Sequence, residues 1–96
     1  KNLTDKNISK LQSKDKLTGE LVLQDYPDLE EIDLKNHELT ALTVINCPQL
    51  KKINVRHNQL TKLEIGKDNQ LLEIIAGSNE LTTLNLLNCP QLNQLS

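Results

Sequence analysis

Residues 29–49 read LEEIDLKNHELTALTVINCPQ, residues 50–70 read LKKINVRHNQLTKLEIGKDNQ, and residues 71–91 read LLEIIAGSNELTTLNLLNCPQ. Leu29, Leu50, Leu71 and Leu92 open these lines and a fourth, LNQLS, that runs to Ser96. All three complete lines place apolar residues at positions 1, 4, 6, 11, 14 and 16 of a 21-residue repeat, with Ala76 the smallest occupant. A fixed period of this length marks a stacked architecture, because one unit cannot bury its apolar side alone and its neighbours must cover it.

Each line has two similar halves. Ile32 and Leu34 alternate with polar residues in the first half, and Leu42 and Val44 do so in the second. Alternation with period two is the signature of a strand with one face buried. The lines contain no 3.6-residue apolar spacing sustained over three helical turns. Two parallel strands per coil are therefore expected, each about 4.8 Å from its counterpart in the next coil. Their centres should fall near residues 21–23, 32–34, 42–44, 53–55, 63–65, 74–76 and 84–86.

Upstream the register is poorer. Leu21, Leu23 and Pro27 match Leu42, Val44 and Pro48, and Ile8 and Leu11 fall at positions 1 and 4. Leu17 comes one place early for position 11, and Lys14, Asp15 and Lys16 are all charged. Residues 1–16 read as an N-terminal cap, with a short helix over residues 2–13 turning Leu3, Ile8 and Leu11 inward. Residues 17–96 read as the solenoid, and the whole as one domain. Terminal units of a stack are atypical because they close its apolar end against water.

Composition agrees. Apolar residues make up 36% of the 96, mostly Leu and Ile, with Tyr26 the only aromatic. A core without aromatic bulk suits identical slots filled repeatedly. Eleven basic and thirteen acidic residues give a formal net charge of −2 and are well mixed, which excludes the basic face of a nucleic-acid binder. No apolar run reaches the length of a membrane span. The chain opens on Lys1 rather than Met and reads as a segment or processed product of something longer.

Leu50, Ile53, Val55, Asn58 and Leu60, and Leu71, Ile74, Ala76, Asn79 and Leu81, resemble the leucine-rich-repeat signature L-x-x-L-x-L-x-x-N-x-L. Leu29, Ile32 and Leu34 start the same pattern, but His37 takes the place of the asparagine. The doubled 21-residue form is similar to the nested subclass called IRREKO, whose variable half repeats the strand motif. The likeness spans roughly residues 21–95. It implies a mainly β fold, a right-handed parallel β-solenoid of leucine-rich-repeat type, and a non-catalytic role in protein–protein interaction through a strand face. Similar repeats in bacterial and fungal proteins imply a second setting, a fragment of a multidomain signalling or effector protein.

The remaining motifs read mainly as scaffold. Asn58 and Asn79 should satisfy turn backbone and bond along their column, and loss of the asparagine at His37 predicts a looser first coil. Thr40, Thr61 and Thr82 share position 12 and suggest a hydroxyl ladder. Cys47 and Cys89 lie two coils apart, ~9–10 Å by strand spacing, beyond the roughly 7 Å a disulfide allows. Two unpaired thiols point to a reducing, cytoplasmic compartment. His37 and His57, with Glu38 or Cys47, make a poor metal set. No nucleophile has an evident base and no glycine loop cradles phosphate, so neither catalysis nor a cofactor is expected. The glycosylation patterns at Asn2 and Asn7 are discounted in so asparagine-rich a chain.

Position 3 runs Glu31, Lys52, Glu73 up the stack, alternating in sign, and reads as register-setting scaffold. The candidate contact residues are Asp33, Lys35, Asn54, Arg56, His57 and Ile75, at positions 5, 7 and 8. Leu72, Ile75 and the small Gly77 are expected to make the third coil's face apolar. Self-association through coil ends, or through Ile45 and Leu87 on the second sheet, is the alternative.

Overall fold

The computed structural model describes residues 4–66, 69–85, 89 and 91–96. Its strands are β1 (Lys10–Leu11), β2 (Thr18–Gln24), β3 (Glu31–Asp33), β4 (Glu38–Ile45), β5 (Lys52–Asn54), β6 (Lys62–Ile65), β7 (Glu73–Ile75), β8 (Thr83–Asn85) and β9 (Gln94–Leu95). Odd-numbered strands form a five-stranded sheet in the order β1-β3-β5-β7-β9, and even-numbered strands a four-stranded sheet, β2-β4-β6-β8. Every pairing is parallel. The chain is a parallel β-solenoid of about four turns, each passing once through both sheets.

Register follows the repeat. Ile32 pairs with Ile53 and Ile53 with Ile74, while Leu42 pairs with Leu63 and Leu63 with Leu84. Like residues therefore lie over like, and the core consists of aliphatic columns between the two sheets. Leu29, Leu50 and Leu71 are fully buried, as are Leu11, Ile32, Ile53 and Ile74. Burial fades at the last strand of the smaller sheet. Leu42 and Leu63 are inaccessible, whereas Leu84, on the last strand of that sheet among the described residues, is 37% exposed.

The N-terminal segment differs from the expected helical cap. Lys10 and Leu11 form a strand that pairs with Glu31 and Ile32, so the cap is itself a coil in register. No α-helix occurs among the described residues, and Leu3 lies outside them. Ile8 and Leu11 do turn inward. Ser9 anchors the approach, its carbonyl accepting from the Glu30 and Glu31 amides.

Leu17 is also placed differently. Thr18 pairs with Glu38 and Gly19 with Leu39, but then Glu20 pairs with Ala41, leaving Thr40 as a bulge in β4. Gly19, at φ 75°, thus stands opposite Leu39, and the position-11 slot of this coil holds no side chain. Leu17 instead precedes the strand and packs half-buried against the core.

Coils turn at recurrent left-handed residues. Asn36, His57 and Ser78 occupy position 8 with φ of 62°, 58° and 59°, and Asp25 and Asn46 occupy position 18 with 67° and 55°. Asn, Asp and His tolerate this region better than most side chains. The Asn36 and His57 amides donate to Arg56 and Gly77 carbonyls of the following coil.

The position-9 asparagines close the corners. Asn58 Oδ1 accepts from the Leu39 amide at 3.0 Å, and its Nδ2 donates to the Leu34 and Val55 carbonyls at 2.9 and 3.0 Å. Asn79 repeats this with the Leu60 amide and the Val55 and Ala76 carbonyls. The amides tie coil to coil through backbone rather than to one another. The threonines behave likewise: Thr61 and Thr82 hydroxyls donate to the Thr40 and Thr61 carbonyls, so the ladder is hydroxyl to backbone.

Asn58→Ala would orphan the buried Leu39 N–H and Leu34 C=O together, at about 1–3 kcal/mol each. Urea unfolding should show a loss of roughly 3 kcal/mol for this variant. Thr61→Val, at an exposed site whose backbone bond survives, should lose less than about 1 kcal/mol.

Candidate recognition face

β3, β5 and β7 each bury their central isoleucine and turn their flanking residues outward. Asp33, Asn54 and Ile75 consequently stand side by side, as their pairing requires. Next to them the outward column Lys10, Glu31, Lys52, Glu73, Gln94 runs the whole height of the sheet. Lys10 Nζ lies 3.8 Å from Glu31 and extends the alternation of sign by one coil.

The six candidate contact residues are not equally available. Lys35 Nζ donates to both Asp33 carboxylate oxygens, at 3.1 and 2.8 Å. Partial burial alone would push the Asp33 carboxyl up. The side-chain and backbone hydrogen bonds with Lys35 outweigh burial and hold it below the usual carboxylate range. Asn54 Oδ1 accepts from the Arg56 amide at 3.2 Å and steadies the strand exit. The Arg56 side chain lies over the bare Cα of Gly77, its Nε 3.8 Å from where a Cβ would stand. Arg56 and His57 are both exposed. Ile75 is half-buried, and Leu72 beside it is 37% exposed.

His37 and His57 have different settings. His57 turns a corner in the left-handed region, whereas His37 faces inward and accepts the Leu17 amide at Nδ1, 3.0 Å away. No group of three or more potential metal-binding side chains occurs among the described residues. A shallow depression of about 270 Å³ is lined by Lys51, Gln70, Leu72 and Gln91, which bring no acid–base pair together.

On the second sheet Ile45 is 36% exposed, while Leu87 lies outside the described residues. Gly66 occupies the same repeat position in the intervening coil, where a Cβ would stand 3.3 Å from the Val44 carbonyl oxygen. Cys47 and Cys89 are free and buried. Near the first of them, Tyr26 fills the equivalent corner of the preceding coil and carries Lys6 Nζ 4.2 Å from its ring centroid. Asn69, one place along from the corner position, donates to the Gly66 carbonyl and the Cys89 sulfur.

Three features of the face went unread in the sequence. The Asp33–Lys35 pair was legible as opposite charges two residues apart at the exit of an expected strand. The left-handed corners carried a weak signal in Asn36, Asp25 and Asn46. The seating of Arg56 on Gly77 was visible only as a 21-residue offset between a long side chain and a missing one.

Comparison with family models, with curated proteins and with solved structures finds no match to this chain. The class that fold and face define is a parallel β-solenoid of 21-residue coils with a continuous outward array of mixed charge.

Burial raises both thiol pKa values, with partial offsets from hydrogen bonds and, at Cys47, from Lys6. Alkylation by iodoacetamide at pH 8 should therefore run more than ~10-fold slower in the folded chain than in urea. Mass spectrometry of quenched samples reads this directly.

Proposed function

We propose that this chain is a non-catalytic protein-recognition module of the leucine-rich-repeat type, in its nested 21-residue form, and that it binds a partner protein through the outward face of the five-stranded sheet. The observation that carries the reading is the rank of Asp33, Asn54 and Ile75 across β3, β5 and β7, bordered by Lys35 and Arg56. Parallel pairing holds these side chains on rigid strands, so a partner meets a preformed surface and little ordering entropy opposes binding. The make-up also suits an interface, with an arginine and an isoleucine standing among polar and charged neighbours. A fragment of a larger signalling or effector protein would use the same face.

A second reading draws on the far end of the stack. Residues 81–96 contain no charged side chain, and Leu84 and Leu95 are 37% and 50% exposed. Charges commonly protect sheet edges, and an uncharged edge with exposed leucines suits pairing with a second copy of the chain.

Arg56 and Lys35 discriminate between these readings. Arg56→Glu combined with Lys35→Glu should weaken capture of the native partner at least ~10-fold at low salt, with a smaller loss at high salt. Unchanged binding excludes this face. In sedimentation, the second reading requires a mass that rises with concentration and reverts to monomer in Leu84→Lys and Leu95→Lys.

A further inference from the structure

His37 stands in the asparagine column and does an asparagine's work between coils. Asn58 reaches back to a backbone amide at Leu39 and a carbonyl at Leu34, and Asn79 to those of Leu60 and Val55. His37 reaches back to the Leu17 amide through Nδ1, and the Ser13 backbone, at the repeat position of Leu34 and Val55, favours its charged form. The bond by which Asn58 and Asn79 accept an amide of the preceding coil is thus kept at His37, despite the substitution. Imidazole differs from a carboxamide in one respect that matters here: it takes up a proton near neutrality.

We infer that His37 is a proton-operated latch, which holds the corner formed by residues 12–17 against the second coil when neutral and releases it when protonated. A neutral ring that accepts at Nδ1 carries its hydrogen on Nε2. A proton on Nδ1 replaces the accepting lone pair with a donor, and two N–H groups then face each other where one bond had been. The part-buried Leu17 amide is left without that partner. Asn58 and Asn79 cannot titrate, so the Leu39 and Leu60 amides above are indifferent to the same change.

The charged surroundings act in both directions. Burial opposes protonation first, and Lys16, whose ammonium donates to the Asn36 carbonyl at 2.8 Å, opposes it next. The Ser13 hydrogen bond and Asp33 favour the charged ring, and the balance leaves its pKa lowered. Asn58, the next residue up the column, is uncharged. Seven residue pairs between β2 and β4 hold the rest of the first coil, so the opening is local. It also frees the Glu38 amide, which donates to the Leu17 carbonyl at 2.8 Å. The closed corner binds a proton less readily than the open one. Its stability is therefore complete above the unfolded imidazole value of about 6.5, and declines as pH falls through the lower closed-state value.

Amide hydrogen exchange on the full chain between about pH 7.5 and 5, corrected for intrinsic rates, tests this. Leu17 and Glu38 protection should fall by up to ~10-fold per pH unit within the window, while Leu39 and Leu60 stay constant within about twofold. His37→Asn should flatten the Leu17 profile, and His57→Asn should leave it as in the parent. If His37→Asn does not fold, nitrogen chemical shifts of the parent decide: an unprotonated Nδ1 at neutral pH that titrates in step with Leu17 exchange supports the latch. A pH-independent Leu17 amide overturns it. So does equal loss at Leu17, Leu39 and Leu60, equal loss in His37→Asn, or a neutral ring protonated at Nδ1.

Discussion

Each coil of this molecule takes its hydrogen-bonding partners from the coils before and after it, and it can do so only while successive coils remain one repeat apart. The Leu34 amide donates to Asn54, that of Val55 to Ile75, and that of Gly66 to Val44, each to the neighbouring coil. Parallel strands have no hairpin to set their register, so pairing must be specified elsewhere. Here the specification comes from the buried columns. A slip by one residue would move Ile32, Ile53 and Ile74 from the core to solvent, and truncating even one such side chain to alanine costs on the order of 2–5 kcal/mol. Backbone pairing and aliphatic burial thus enforce the same alignment.

Corners are where such a fold is vulnerable, because the chain leaves the sheet with amides and carbonyls still to be satisfied. The solution here is a single inward side chain per coil that both donates and accepts. Asn58 is 8% exposed and Asn79 half-buried, and each serves backbone in its own coil and in the one before. Every buried side-chain nitrogen and oxygen among the described residues has a partner. His37 fits the same place because imidazole also offers one donor and one acceptor. At the amide of the preceding coil the backbone requires an acceptor rather than an asparagine, and His37 Nδ1 supplies it.

The outward face depends on this inner order without contributing much to it. The ion pairs that the structure shows, Lys10–Glu31, Lys35–Asp33 and Lys62–Glu64, lie at the surface, where such pairs are worth little. Side chains there are free to answer to a partner instead. The strands hold their Cα positions, and the variation from coil to coil, Asp to Asn to Ile in one column and Lys to Arg to Gly in the next, makes the surface non-repetitive. A repetitive core carrying a non-repetitive exterior is the physical basis for recognition by solenoids.

The amino-acid order by itself determined the period, the two strands in each coil and the identity of the inward columns. The expected centres 21–23, 42–44 and 63–65 lie wholly within β2, β4 and β6, those at 32–34, 53–55 and 74–76 run one residue past β3, β5 and β7, and residues 84 and 85 lie in β8 while Leu86 falls outside the described residues. These features were legible because burial is written in alternation and spacing, which are properties of the chain read locally. What only the tertiary structure decided was which atoms meet across a coil. Lys10 and Leu11 became a strand because β3 offered an edge to pair with, and Gly19 rather than Leu17 came opposite Leu39 because β4 carries a bulge. Arg56 settled on Gly77, and His37 found Leu17 and Ser13. Each of those contacts joins groups 20 to 24 residues apart along the chain, and a one-residue bulge is enough to change the partner.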